Sequence, residues 1–302
     1  MRFAVTGGAG FVGSHLVKLL IKKGHEVVVV DNLHTGKKEN LLEVMNEIEF
    51  YNMDIRNYDL LEKKLVDLDG IFHQAALTVV QDSFRNPEEY HDVNVQGTEN
   101  IFKIAQKNEL KVVFASSSSV YGHQDKIPIS EDAKKNPINP YGKTKLDDEY
   151  LMKKYSKLGV DIIGLRYFNI FGEGQTIDYA GVITKFIDRI KDGKAPIIFG
   201  DGSQVRDFIY VQDIAEMNLI AMESNVENYL VNVGTGRSIS ILELANVMIK
   251  ISGLKLEPIM EDPLEGDVKQ SQADTGLVES VFKWKAESNL ENWLKNNIFK
   301  QN

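Results

Sequence analysis

A glycine cluster set between an apolar strand and an apolar helix, with strands and helices alternating behind it, predicts an α/β fold. The expected architecture is a Rossmann-type doubly wound parallel sheet with a smaller C-terminal α/β substrate-binding lobe. The cluster lies in Arg2-Phe-Ala-Val-Thr-Gly-Gly-Ala-Gly-Phe-Val-Gly-Ser14. It reads as Gly7-x-x-Gly10-x-x-Gly13 or as Gly8-x-Gly10-x-x-Gly13. In either reading one glycine permits a tight turn, one admits a pyrophosphate to the backbone, and one lets the helix pack on the strand. The free N–H groups at the helix start then face the phosphates, where the helix dipole favours negative charge. A strand before and a helix after are the context that makes this a dinucleotide motif.

The remaining elements follow in order. Phe3–Thr6 is the first strand and about Phe11–Lys23 the first helix. Glu26–Val30, Ile48–Asn52, Gly70–Gln74, Lys111–Ala115 and Asp161–Arg166 are short apolar runs between turn residues, and are expected as strands. Helices are expected around Asn94–Gln106 and Pro140–Tyr155, the second opened by Asn139 as N-cap and Pro140 in the first turn. Short turns between such elements give right-handed βαβ units with ligands at the strand C-termini. From about Asn169 the pattern becomes irregular, with glycine turns at 172–174 and 200–202. A dinucleotide-binding domain is therefore placed at 1–168 and a mainly substrate-binding lobe at 169–302, with about 205–235 returning to the first domain.

Bulk properties narrow the classes. A chain of 302 residues is long enough for a sizeable core. A net charge of −9 argues against a nucleic-acid or acidic-membrane surface. The absence of cysteine excludes disulfides and thiolate chemistry and suits a reducing compartment. No apolar run is long enough for a membrane span, and the N-terminus reads as a core strand, so a cytoplasmic protein is expected. The histidines show no ligand-like spacing, and no metal is expected. His73 reads as a packed, hydrogen-bonded core residue.

Three constellations carry chemistry. Asp31 ends the second strand, eighteen residues after Gly13. A carboxylate there accepts hydrogen bonds from an adenosine ribose and repels a 2′-phosphate, which favours NAD over NADP. A turn aspartate is the alternative. Asp54, after the third strand, would border the adenine. The third constellation is Ser116-Ser-Ser-Ser-Val-Tyr-Gly122 followed by Tyr141-Gly-Lys-Thr-Lys145. Tyr141 and Lys145 are four apart and share a helix face. A phenol with the usual pKa near 10 is a poor base at neutral pH, and a neighbouring cation lowers that value. A serine hydroxyl from the loop after the fifth strand would orient the substrate oxygen.

The segments TGGAGFVGSH, DNLHTG, HQAA, VNVQGTEN, SSSSVYG, YGKTK, RYFNIFG and RDFIYVQD occur in this order. In them the chain resembles the extended short-chain dehydrogenases/reductases of the nucleotide-sugar epimerase/dehydratase family over essentially its full length. The resemblance implies Ser117, Tyr141 and Lys145 as the catalytic set. It implies an NAD site built from Gly7, Gly10, Phe11, Val12, Gly13, Asp31, Asn32, Gly36, Asp54, Ile55, Ala75, Ala76, Asn94, Tyr141, Lys145 and Tyr167. For a nucleotide-sugar substrate it implies Ser117, Ser118, Ser119, Asn169, Val182, Ile197, Phe199, Arg206, Asp267 and Ser271. Asn169 would face the diphosphate, Arg206 would bind phosphate, and Asp267 would bind ribose.

In the family's 4,6-dehydratases and decarboxylases, acidic residues stand where this chain has Ser118 and Ser119. A serine hydroxyl is too weak an acid and base to replace them. The resemblance therefore implies 4-epimerisation of a UDP-hexose: Tyr141 takes the 4-OH proton as hydride leaves, the 4-keto sugar rotates, and the hydride returns to its other face. Ser271 matches a position where a bulky tyrosine excludes N-acetylated sugars, so UDP-GlcNAc and UDP-GalNAc are expected beside UDP-Glc and UDP-Gal. Two departures stand out: Gly172-Glu-Gly-Gln175 where relatives often read G-P-R-Q, and Leu264 where they commonly carry an arginine. The rival readings are a 4-keto reductase, dehydratase or decarboxylase of the same family, and a non-catalytic NAD-sensing protein. A homodimer is expected through the helices carrying Ile101, Ile104, Leu146 and Tyr150, although intramolecular packing explains the same stripe.

Overall fold

The strands β1 (Arg2–Thr6), β2 (Glu26–Asp31), β3 (Ile48–Asn52), β4 (Gly70–His73), β5 (Lys111–Ser117) and β6 (Ile162–Tyr167) form where the apolar runs predict them. Beyond them lie β7 (Asn169–Phe171), β8 (Ile197–Phe199), β9 (Val205–Arg206), β10 (Phe208–Tyr210), β11 (Leu230–Val233), β12 (Ile239–Ser240), β13 (Ile259–Glu261) and β14 (Gln270–Ser271). The helices are α1 (Phe11–Lys22), α2 (Tyr58–Lys64), α3 (Val80–Arg85), α4 (Pro87–Tyr90), α5 (Gly97–Asn108) and α6 (Pro140–Ser156). They continue as α7 (Val182–Lys191), α8 (Val211–Glu223), α9 (Ile241–Ser252), α10 (Gly276–Phe282) and α11 (Leu290–Asn297). This computed structural model describes residues 1–175 and 181–297.

Seven strands make one parallel sheet in the order β11-β6-β5-β4-β1-β2-β3. The strand order reverses between β1 and β4, the switch point where open α/β sheets bind ligands. Both faces are covered, which is why the strands read as continuous apolar runs. Phe3, Val5, Val27 and Val29 point to a core shared with Leu16, Val17 and Leu20 of α1 and Ile214 and Met217 of α8. Ala4, Val28 and Val30 point to the opposite core, with Leu61, Ile101, Phe102 and Met152. A third core joins α7, α9 and α11 through Phe186, Leu244, Met248 and Leu294.

The sheet runs on past β6: β11, in the stretch of about 205–235 expected to return to the first domain, pairs with it in parallel, Val231 opposite Leu165. Two details differ from the sequence expectation. β5 runs on to Ser117, so that serine stands at the strand end rather than in the following loop. The helix expected from Asn94 begins as a π-helical turn, His91–Gln96, which feeds α5. Of the four residues proposed for a dimer stripe, Ile101, Ile104 and Leu146 are buried within the chain, and Tyr150 is 53% exposed.

Candidate functional site

The glycine loop sits at the switch point, and two of its glycines are there for steric reasons. Gly7 has φ +67°, and a Cβ on it would stand 2.7 Å from the Ala75 backbone nitrogen, in the loop after β4. At Gly13 a Cβ would stand 2.1 Å from the Gly7 carbonyl oxygen. The turn glycine is thus Gly7, which favours the Gly7-x-x-Gly10-x-x-Gly13 reading. Gly13→Ala is expected to push α1 off the loop, lowering both thermal stability and the NAD content of the purified protein. An alanine variant with parental NAD content would show that the close approach is dispensable.

A cavity of about 330 Å³ opens above this loop. Gly7, Gly10, Phe11, Val12, Gly13, Asp31, Asn32, Ile55, Ala75, Ala76 and Tyr167 line it, together with Ser117, Tyr141 and Lys145. Residues the sequence reasoning passed over, among them Thr35, Asn40 and Gln74, line it too. Three of the expected cofactor residues lie outside this lining. Gly36 packs on the Asp31 carboxylate, 2.9 Å from where its Cβ would be. Asp54 pairs with Arg56 at 2.7 Å, which holds its carboxyl down at about 2, and accepts from Asn32 Nδ2 at 3.0 Å. Asn94 is a brace: its amide bonds the Leu77 backbone at 2.8 and 3.0 Å and the Thr144 hydroxyl at 2.9 Å.

Asp31 combines both of its sequence readings. Its carboxylate accepts from the Ala9 N–H at 3.0 Å and the Leu33 N–H at 2.7 Å, so it shapes the turn while facing the cavity. Burial raises its pKa, and the backbone N–H groups oppose that shift. The glycine cradle, the acidic strand end and the cavity between them fit a dinucleotide with a free ribose hydroxyl pair.

Ser117, Tyr141 and Lys145 converge on the other part of the same cavity. Asn139 caps α6 by accepting from the Gly142 N–H at 2.7 Å, with Pro140 next in the first turn. This fixes Tyr141 at the helix entrance and Lys145 one turn on. Ser117 Oγ lies 2.8 Å from Ser119 Oγ and accepts from the Ser119 N–H at 3.1 Å, closing the 3₁₀ turn Ser118–Tyr121. Behind this turn the Arg166 guanidinium grips Glu149 through two bonds of 2.7 and 2.8 Å and donates to the Tyr121 hydroxyl at 2.8 Å. Ser116 donates to Glu149 at 2.7 Å, and Tyr121 donates to Asn232 at 2.6 Å. This buried network ties the serine segment to α6, β6 and β11.

His73 sits between two hydroxyls, Thr6 at 2.6 Å and Thr98 at 2.9 Å. Burial, and after it the Lys145 charge, pushes its pKa down to about 3, so it is a neutral core residue. Tyr167 spends its hydroxyl on Gln74 and Asn218, each at 3.1 Å.

The expected substrate residues fall into two groups. Ser118 and Ser119 follow Ser117 in the 3₁₀ turn and, unlike it, do not line the cavity, and Asn169 follows β6 on β7. Val182 opens α7, and Ile197 and Phe199 are on β8. Arg206 and Ser271 stand opposite each other in the β9–β14 pair, and Arg206 bonds Asp267. Ser271 is buried, and neither it nor Arg206 lines the cavity above the glycine loop. Arg206 lines a second cavity of about 180 Å³, where Arg237 supplies a guanidinium that the sequence reasoning did not single out. In the departing loop, the Glu173 carboxylate accepts from Tyr210 and Trp293, each at 3.0 Å. The Glu173 carbonyl lies 2.9 Å from His15 Nε2, which ties this loop to α1.

The model of the NAD dependent epimerase/dehydratase family matches residues 3–234. A putative UDP-glucose 4-epimerase of Methanocaldococcus jannaschii is 43% identical, over 97% of this chain and 98% of its own. The structure of a Thermotoga maritima UDP-glucose 4-epimerase with UDP-glucose superposes with a TM-score of 0.94 at 35% identity, covering 99% and 97% of the two chains. A UDP-N-acetylglucosamine 4-epimerase from Methanobrevibacter ruminantium, in complex with UDP-N-acetylmuramic acid, gives 0.93 at 36% identity over 98% and 96%. A family match across most of the chain and full-length relatives coincide with a glycine cradle that shares its cavity with Ser117, Tyr141 and Lys145: this chain belongs to the NAD-dependent epimerase/dehydratase family.

Proposed function

We propose that this protein is an NAD-dependent 4-epimerase of UDP-hexoses. The observation that carries the reading is the convergence of Ser117, Tyr141 and Lys145 on the cavity that begins at the glycine cradle. Bound NAD supplies the hydride acceptor and donor. Tyr141 takes the proton of the 4-hydroxyl and later returns one, and Lys145 favours its phenolate form. Ser117 orients the sugar oxygen, with its own hydroxyl steered by Ser119. Ser118 and Ser119 provide hydroxyls where eliminations and decarboxylations need a carboxylic acid, so the chemistry stops at oxidation and re-reduction of one carbon.

The relatives support this activity, and the resemblance at Ser271, a small residue buried outside that cavity, is the ground for extending it to 2-acetamido sugars. Incubation with UDP-Glc, UDP-Gal, UDP-GlcNAc and UDP-GalNAc is expected to give the 4-epimer of each, with no net change in NADH. Net NADH would indicate a dehydrogenase or reductase, and loss of water or carbon dioxide would indicate the other rivals. Turnover of UDP-Glc without any UDP-GlcNAc conversion would defeat the argument from Ser271 alone.

A further inference from the structure

Asp148 is a fully buried carboxylate for which the chemistry above has no use. It lies on α6 with Oδ2 3.2 Å from Lys145 Nζ, and the two side chains are 0% and 4% exposed. Its other oxygen, Oδ1, has no hydrogen-bond partner among the described residues. A half-satisfied buried carboxylate is costly, and this one stands against the cation that serves the proposed base.

The titratable groups facing it are few. On its own helix Lys145 favours its charge and Asp147 opposes it. From α5 the Thr98 hydroxyl weakly favours the ionised form. Through Thr98 comes His73 of β4, which is neutral. Burial dominates all of these and pushes Asp148 up to about 7. Its ionisation therefore falls near neutral pH, beside a lysine whose charge is meant to act on Tyr141.

We infer that Asp148 is a positioning residue for Lys145, holding its ammonium in place and offsetting part of its charge, so that its ionisation modulates how strongly Lys145 favours the Tyr141 phenolate. The inference rests on the Tyr141–Lys145 reading given above. As pH falls, Asp148 takes a proton, the lysine charge is no longer offset, and the phenolate resists protonation. The ionised carboxylate thus holds the acid limb higher than a neutral residue at this position would.

Asp148→Asn keeps the shape and an acceptor for Lys145 but removes the negative charge. The acid limb of kcat is expected to move down by about one pH unit. The ultraviolet tyrosinate signal that Tyr141→Phe abolishes is expected to move the same way in substrate-free protein. Thr98→Val withdraws the hydroxyl that favours the ionised carboxylate, and should shift both readouts in the same direction by less. If Asp148→Asn fails to fold, Thr98→Val alone decides. Superimposable profiles and tyrosinate titrations for parent and variants overturn the inference, because a packing role lowers stability or kcat without moving either. A Tyr141→Phe protein that keeps its turnover overturns the underlying reading instead, whereas an inactive one with unmoved Asp148→Asn profiles overturns this inference only.

Discussion

Tyr141→Phe is expected to lower turnover by roughly 10²–10⁴-fold, the range typical for loss of a positioned acid–base group. The change removes one oxygen at the entrance of α6, in a side chain that lines the cavity beside Ser117. The cap from Asn139 to Gly142 does not involve that oxygen, so the helix start should be unaffected. Product formation, circular dichroism and the NAD released on denaturation would be measured together. Lost turnover with parental spectrum and NAD content supports the acid–base role. Parental turnover would remove Tyr141 from the mechanism, and lost NAD would show that the residue acts through cofactor binding.

Arg166→Met is expected to cost about 3–5 kcal/mol of stability, read as a lower midpoint in denaturant unfolding. Methionine keeps much of the volume and apolar stem, but it leaves Glu149 buried, 2% exposed, without its bidentate partner. The guanidinium also stacks 5.1 Å from the Tyr121 ring centroid and donates to its hydroxyl, so two elements lose their anchor at once. Burial works against the Arg166 charge, yet Glu149, and after it Tyr121, outweigh burial and raise its pKa overall. Glu149→Gln in the same background should recover part of the loss, since it removes the stranded charge. An unchanged midpoint for Arg166→Met would mean that the pair is energetically neutral to the fold.

The first six strands were legible because each is an apolar run cut off by turn residues, and a sheet covered on both faces needs such runs. β11 was not legible as a strand, although the stretch of about 205–235 was expected to return to the first domain. Only four residues long, it carries Asn232 at a buried position, where the apolar pattern breaks. That amide is satisfied by Tyr121 and Ile129, partners about a hundred residues away, which no local pattern reveals. The same limit hid Asp148. Asp147-Asp148-Glu149 reads as a solvated acidic face, yet a helix turns these residues to different sides. Two of them are buried: Glu149 is matched to the distant Arg166, and Asp148 bonds only its neighbour Lys145, with one oxygen unpartnered among the described residues. Tyr141 and Lys145, by contrast, were found because their pairing is local, and the glycine loop because steric demands at Gly7 and Gly13 leave little choice of residue.

The parallel pairing of β11 with β6 has a consequence for biosynthesis. Until residue 233 has left the ribosome, the backbone of β6 has an open edge, and α1 lacks α8 over its core face. The nucleotide-binding half therefore cannot finish folding as its own stretch of chain emerges. It waits for a segment made some sixty residues later, a long-range closure that slows folding and leaves a strand edge open to other chains. A fragment ending at residue 168 should accordingly aggregate, rather than behave as a small free-standing dinucleotide binder.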